Sequence, residues 1–155
     1  MTNSETSSNN IKKWAVITMS VISFLGFLDA TYLATEHFLG RIPKCSIIEG
    51  CGAVTTSQYA TIGSIPIALL GSFFYLSIFI LTIIYLDTKK ESYIILASRI
   101  PIAGFFTSLY LVYLQIFILK AICLYCMGSA ICSTLLFLLG IYIIKNNGNK
   151  ILKIK

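Results

Sequence analysis

Four apolar stretches largely determine what this chain of 155 residues can fold into. They run approximately from Trp14 to Leu39, from Ile65 to Leu86, from Tyr93 to Leu119 and from Ala121 to Ile144. Each contains the roughly 20 residues that a helix needs to cross a hydrocarbon core about 30 Å thick. None has the polar face that a helix of a soluble protein turns toward water. The sequence therefore predicts an all-α membrane protein with four transmembrane helices.

The charged residues favour a membrane environment and argue against nucleic-acid binding. Only 12% of the residues are charged, whereas a soluble domain carries about 25%. The formal net charge is +6, but the basic residues lie in short polar gaps and tails between the apolar stretches. They form no stripe interleaved with aromatic residues, as a nucleic-acid-binding surface would. The predicted partner is the lipid bilayer.

The basic residues also predict the orientation in the membrane. If both termini are cytoplasmic, eight lysines of the polar gaps and tails lie inside, together with Arg99 near the inner end of the third apolar stretch. Three basic residues lie outside, which agrees with the positive-inside rule. The inner set is Lys12, Lys13, Lys89, Lys90, Arg99, Lys145, Lys150, Lys153 and Lys155, and the outer set is Arg41, Lys44 and Lys120. The first apolar stretch is too long for a signal peptide and lacks a small-x-small cleavage site, so we expect it to be retained.

The predicted domain organisation follows from these segments. Residues 1–13 are polar and low in complexity and are expected to be a disordered cytoplasmic terminus. Residues 14–145 form the membrane domain, and residues 146–155 form a basic cytoplasmic tail. A long outer loop, from Gly40 to Ser64, joins the first two helices, whereas the third and fourth helices are joined almost directly. Because the long loop carries two cysteines, we expect it to carry function.

Four of the five cysteines lie where they could exchange disulfides. Cys45 and Cys51 lie in the outer loop, and Cys123 and Cys126 form a C-x-x-C motif at the outer end of the fourth helix. In the predicted orientation all four are on the oxidising side of the membrane, where disulfides persist. Residues three apart share one helix face, and the first turn of a helix stabilises a thiolate. The pattern favours a redox relay, with structural disulfides or a zinc site as alternatives. Cys132 is out of phase with Cys123 and is interpreted as a packing residue.

Asp29 is an ionisable residue within the first apolar stretch. A carboxyl group in a transmembrane segment is costly and is by default a functional candidate. The first hypothesis is that Asp29 relays protons. The alternative is that it stays protonated, or accepts hydrogen bonds from hydroxyls such as those of Tyr32 or Ser72, and only packs helices together.

Together these motifs resemble the vitamin K epoxide reductase family, most closely its prokaryotic branch. The resemblance rests on the two loop cysteines, the spacing Cys51-x5-Ser57, the stretch I-P-x-A-L-L-G from Ile65 to Gly71 with Tyr75 following it, and the late C-x-x-C. It extends from about Phe27 to Leu139. It implies a four-helix bundle in a cell (inner or plasma) membrane that surrounds a quinone, either menaquinone or ubiquinone. It also implies a short helix in the outer loop that caps the quinone pocket.

The resemblance further implies a role for each site residue. Cys45 would exchange with a thioredoxin-like thiol oxidase of the DsbA type, and Cys51 would pass electrons to Cys123 through a transient disulfide. Cys126 would face the quinone ring, and the Ser57 hydroxyl would lie near a quinone oxygen. Many prokaryotic relatives carry a fused thioredoxin-like domain. Since this chain ends at Lys155, we expect its thiol partner to be a separate protein.

Two departures from the family favour plain quinone reduction over epoxide reduction. Animal enzymes carry a Tyr four residues after the second cysteine of the C-x-x-C, where this chain has Ala130. They also carry an Asn in the second helix, and the second apolar stretch here has none. We therefore expect a thiol:quinone oxidoreductase that supports disulfide bond formation. The alternatives are a vitamin K epoxide reductase in the strict sense and a non-catalytic membrane subunit with structural or metal-binding cysteines.

Overall fold

The structure, a computed structural model, describes residues 3–42, 50–63 and 65–153, with the side chains of residues 13–42, 51–63 and 65–146. Within these ranges four helices are long and apolar enough to cross a membrane, as the sequence predicts. The elements are α1 (Asn3–Phe38), α2 (Gly50–Thr55), β1 (Thr61–Ile62), β2 (Ile65–Pro66), α3 (Ile67–Thr88), α4 (Glu91–Tyr113), a π-helical turn (Leu114–Ile118) and α5 (Leu124–Lys153).

The four long helices pack in a closed ring. Helix α1 packs against α3 and α5, and α4 packs against the same two helices from the other side. The buried side chains at the centre of the ring come from all four helices and include Met19, Tyr75, Ile78, Ile94 and Leu136. Large apolar side chains also cover the outside, which fits a surface in contact with lipid. Among them are Trp14, Phe73, Phe106, Phe117 and Leu138.

Glycines mark places where two elements approach closely. A Cβ atom at Gly140 in α5 would lie 2.6 Å from the backbone oxygen of Ser98 in α4. A Cβ atom at Gly26 in α1 would lie 2.7 Å from the ring of Tyr75 in α3. Small residues at such points let transmembrane helices pack closely, which is a main source of stability where the surroundings are as apolar as the helices.

The loop between α1 and α3 has more structure than its sequence suggests. Helix α2 is the short helix that the family resemblance implies. A two-stranded antiparallel hairpin follows it, with Thr61 opposite Pro66 and Ile62 opposite Ile65. Gly63 in its turn has a φ of +64°, which is easily adopted only by glycine. The hairpin leads directly into α3 and so fixes the distance between α2 and the bundle.

Helices α1 and α5 extend beyond the apolar stretches into the polar ends of the chain. Helix α1 begins at Asn3, although the polar composition predicts disorder up to residue 13, and α5 continues to Lys153. Once a long apolar segment has formed a helix, each added residue gains a backbone hydrogen bond without a new nucleation cost. A helix can therefore extend into polar flanks, and the position of the domain boundaries stays a prediction.

Candidate functional site

The end of α1, the start of α3, the π-helical turn and the start of α5 lie at the same end of the bundle, because successive long helices alternate in direction. Cys123 immediately precedes α5 and occupies its N-cap position. The backbone N–H of Cys126 donates to the Cys123 Sγ atom at 3.4 Å. This is the bond that an N-cap oxygen normally accepts from the third residue of a helix, with a sulfur atom in place of the oxygen.

This arrangement stabilises the thiolate form of Cys123. The hydrogen bond from the Cys126 thiol is the main cause that lowers the pKa of Cys123 below its usual range. The backbone amides of Cys126 and Tyr125 act in the same direction, while burial and the charge of Asp29 oppose them. A thiol with a lowered pKa is present as thiolate at neutral pH and leaves readily from a disulfide.

The lowered pKa predicts how the reactivity of Cys123 depends on pH. The thiolate should persist below pH 8.5, the pKa of an ordinary cysteine, and should be lost only as the pH falls through the lowered value. We expect the reduced protein to be modified at Cys123 by the small reagent methyl methanethiosulfonate with a midpoint on the acidic side of 8.5. Mass spectrometry of the modified peptide at each pH measures this midpoint. A midpoint at or above 8.5 would contradict the prediction.

Helix α2 brings the loop to the C-x-x-C motif. Cys51, Val54 and Cys123 form one buried cluster, and both cysteines are almost completely inaccessible to solvent. Leu119, Ala121, Tyr125 and Cys126 pack around this cluster. Cys51 is disulfide-bonded, whereas Cys123, Cys126 and Cys132 are free thiols. The predicted site residue Cys45 lies outside the described residues.

Ser57 follows α2 and lies near the same cluster. It is half-buried, and its hydroxyl donates to the backbone oxygen of Val54 at 2.7 Å. The hydroxyl proton is therefore engaged, and the lone pairs of its oxygen remain to accept a hydrogen bond. The structure places Ser57 in the loop next to the buried cysteine cluster, and its contact with a quinone oxygen stays a prediction.

Asp29 lies in the interior close to the cysteine motif. Its Oδ2 atom is buried and has no hydrogen-bond partner within the described part of the chain. Electrostatic interactions link it to Cys123, Cys126 and Tyr75. Ser72, considered above as a donor to Asp29, instead donates to the backbone oxygen of Leu69 at 2.8 Å.

Two further polar groups lie in the interior of the bundle. The Tyr75 hydroxyl of α3 donates to the backbone oxygen of Ser129 in α5 at 2.7 Å. The Ser133 hydroxyl is buried without a partner within the described part of the chain. Tyr32, which is 38% exposed, and Tyr125 pair with ring centroids 5.2 Å apart. Aromatic rings and unpartnered oxygens are both groups that can contact a flat apolar ring that carries polar oxygens, which is the chemistry of a quinone.

The structure also bears on Cys132 and on the alternative of a zinc site. Cys132 is half-buried and packs against the central core, as its phase on the helix predicts. No group of three or more His, Cys, Asp or Glu side chains that could hold a metal ion occurs within the described residues. Because Cys45 lies outside these residues, the zinc alternative stays open for the four cysteines together.

One residue of the site is missing from the sequence predictions. Gln115 is 2% exposed, and its side-chain oxygen accepts the backbone N–H of Cys123 at 3.1 Å. The sequence feature that could have identified Gln115 is its amide side chain within the third apolar stretch, because a polar group buried there must find a hydrogen bond. Its partner could not be identified from spacing, because the link around Lys120 has no regular periodicity.

Comparison with known proteins yields a match to one family. Residues 17–141 match the Vitamin K epoxide reductase family, a range that includes α2, the C-x-x-C motif and most of all four long helices. The search of curated proteins finds no match. Since the family match covers most of the 155 residues, this chain belongs to the vitamin K epoxide reductase family.

Proposed function

We propose that this chain is a thiol:quinone oxidoreductase that reoxidises a separate thioredoxin-like protein and reduces a quinone in the membrane. Membership of the family makes it a membrane oxidoreductase linked to quinones. The thiol partner and the role in disulfide formation are the proposed part. In the proposed orientation both termini are cytoplasmic and the cysteines act on the outer side of the cell membrane.

The observation that carries this proposal is the shared burial of Cys51 and Cys123. A cysteine that only stabilises the loop would have no need to pack against a thiol in another element. Here the loop cysteine and the first cysteine of the C-x-x-C lie in one cluster, with Cys126 packed against it. Such contact is what direct exchange between a disulfide and a thiol requires.

The proposed reaction begins at the loop. A thiolate of the reduced partner attacks a disulfide between Cys45 and Cys51, and the partner leaves as a disulfide, so the loop gains two electrons and two protons. The Cys51 thiolate then attacks Cys123 in the oxidised C-x-x-C. A Cys51–Cys123 disulfide forms and Cys126 is released as a thiolate.

The second half of the reaction returns the loop to its oxidised form. Cys45 attacks Cys51, which restores the loop disulfide and releases Cys123 as a thiolate. The amides at the start of α5 make Cys123 a good leaving group for this step. The C-x-x-C is now a dithiol, and its oxidation to a disulfide delivers two electrons and two protons. The state with a disulfide-bonded Cys51 and free Cys123 and Cys126 thiols corresponds to the point just before this delivery.

A quinone bound beside Cys126 would be the acceptor of these two electrons and two protons. Cys126, Tyr32, Tyr125 and Ser133 are the residues that would surround it, and Ser57 would approach from the loop. The chain's own contribution is to exclude water, to hold Cys126 beside the ring and to deliver protons. Asp29 is the described carboxyl group within electrostatic reach of both motif cysteines.

Replacement of Asp29 tests the proton route. We expect Asp29→Asn, which keeps the shape but removes the carboxyl group that can take up and release a proton, to slow quinol formation by about 10²- to 10⁴-fold, the range typical of general acid–base catalysis. Formation of the Cys51–Cys123 disulfide should continue, because thiol exchange does not use this carboxyl group. Stopped-flow absorbance of the quinone and mass spectrometry of the disulfides measure the two steps separately. An unchanged rate of quinol formation would rule out the relay.

The proposed function is tested with purified protein, a reduced thioredoxin-like oxidase and a water-soluble quinone. We expect the loss of quinone absorbance to match the oxidation of the partner mole for mole. Replacement of Cys45, Cys51, Cys123 or Cys126 by alanine should stop the reaction, and Cys132→Ala should leave it unchanged. Turnover that survives loss of Cys123 or Cys126 would favour a non-catalytic subunit. A parallel assay with vitamin K epoxide separates epoxide reduction from quinone reduction.

A further inference from the structure

Gln115 is a buried amide in a segment that otherwise consists of apolar residues. It lies in the π-helical turn that follows α4, and it is 2% exposed. Leu114 and Gln115 are buried side by side, whereas Ile116, Phe117 and Ile118 are exposed. π-Helical turns are rare and are found frequently at functional sites. This turn places an amide in the interior at the level of the cysteine motif.

Both carbonyl groups of Gln115 hold the link between α4 and α5. The side-chain oxygen accepts the backbone N–H of Cys123 at 3.1 Å. The backbone oxygen accepts the N–H of Ala121, also at 3.1 Å. Gln115 therefore fixes the short non-helical link at two residues, Ala121 and Cys123. A buried backbone N–H that loses its partner costs free energy, so this contact constrains the backbone of Cys123.

The geometry resembles a capping box whose two halves come from different segments. In a capping box the N-cap side chain accepts the N–H of the third helical residue, and the side chain of that residue accepts the N–H of the N-cap. Here Cys123 accepts from Cys126, but the Cys126 side chain has no carbonyl group to return the bond. Gln115 supplies the returning acceptor from the preceding turn.

We propose that Gln115 is a positioning residue. Its side-chain carbonyl holds the Cys123 backbone, so that the Cys123 sulfur stays over the first-turn amides of α5. The sulfur thereby stays within the buried cluster that contains Cys51. This inference deepens the proposed function, since disulfide exchange is the step that such positioning serves. Without the bond, the 119–123 link can relax and move the sulfur away from the amides. The thiolate would then lose part of its stabilisation, and exchange with Cys51 would slow.

The test compares three variants of the full chain in lipid nanodiscs. Gln115→Met keeps the length of the side chain but removes the acceptor, and Gln115→Asn keeps the amide but withdraws it by one methylene group. Ile116→Met is the matched control, because it alters an exposed residue of the same turn. Each reduced protein is treated with methyl methanethiosulfonate across a range of pH. Tandem mass spectrometry of the tryptic peptide that begins after Lys120 measures modification of Cys123, because fragmentation distinguishes it from Cys126 and Cys132 in the same peptide.

We expect Gln115→Met to slow modification of Cys123 at pH 7 by about 5-fold, the effect of losing one typical hydrogen bond, and to move its pH midpoint upward. Gln115→Asn should move the midpoint in the same direction as Gln115→Met, and Ile116→Met should keep the wild-type midpoint. An unchanged pH midpoint in Gln115→Met overturns the proposal. If the melting temperature falls while the midpoint stays unchanged, the role of Gln115 is purely structural and the proposal is likewise overturned. If Gln115→Met does not fold, a wild-type midpoint in Gln115→Asn overturns the proposal and a raised midpoint supports it.

The same experiment separates this inference from the proposed function. Modification of Cys123 requires neither the thiol partner nor a quinone. If the wild-type protein fails to reduce quinone, the proposed function is wrong, but the pH profile of Gln115→Met still decides whether Gln115 positions Cys123.

Discussion

Replacement of Cys126 by alanine is expected to abolish quinone reduction and to trap the protein with Cys51 bonded to Cys123. The variant lacks the sulfur that completes the motif disulfide, so no pair of electrons can leave the C-x-x-C. The Cys123 thiolate can still attack the disulfide-bonded Cys51, with which it shares a buried cluster. We expect turnover to fall on the order of 10⁴-fold or more, as when a nucleophile that acts in a unit is removed.

Mass spectrometry of the non-reduced, digested Cys126→Ala protein checks this result directly. The peptide that contains Cys51 should be found linked to the peptide that contains Cys123. Cys132→Ala is the matched control, because Cys132 is a free thiol of the same helix that packs in the core. This control should retain turnover and show no trapped disulfide. If Cys126→Ala yields no Cys51–Cys123 link, the proposed order of exchange is wrong.

Replacement of Gly140 by alanine is expected to destabilise the bundle strongly. The added Cβ atom would lie 2.6 Å from the backbone oxygen of Ser98, which is far inside van der Waals contact. Because the contacted atom belongs to the backbone of a helix, no side-chain rotation can relieve the clash. Overpacking of this kind typically costs about 1–3 kcal/mol, and here it would separate α4 from α5.

Thermal unfolding of the protein in detergent, followed by circular dichroism, measures this effect as a lower melting temperature. Gly128→Ala is the matched control. Gly128 lies in the same helix, but a Cβ atom there would meet nothing within 4 Å. The control should unfold at or slightly above the wild-type temperature, since alanine also favours the helix. Equal melting temperatures for Gly140→Ala and the wild-type protein would show that the helices can separate at no cost.

The parts of this fold that the sequence predicts are those governed by the lipid solvent. A helix that crosses a bilayer must satisfy its own backbone hydrogen bonds and present apolar side chains, so the four stretches could be identified without knowledge of any contact. The position of the C-x-x-C at the start of the last helix follows from the same segments. The start of α1 was not predictable, because a polar flank can be helical or disordered with little difference in free energy.

The contacts within the site depend on geometry that a linear pattern does not contain. The π-helical turn changes which side chains after α4 face inward, and a 3.6-residue period applied to this segment does not identify Gln115 as a partner of Cys123. The hairpin of Thr61–Ile62 and Ile65–Pro66 is too short to produce an alternating pattern. The clash at Gly140 depends on the distance between two helix backbones, which the sequence of either helix alone does not specify.

The closed ring of helices also affects how the protein is made. Helix α5 is synthesised after the other three long helices, yet it packs against both α1 and α4, and Cys123 immediately precedes it. The loop with Cys51 is therefore made well before the motif cysteines. Under the proposed function, the nascent chain has no route for electrons into the bilayer until α5 is inserted. Thiol exchange at the loop would then be coupled to quinone reduction only once all four long helices have packed together.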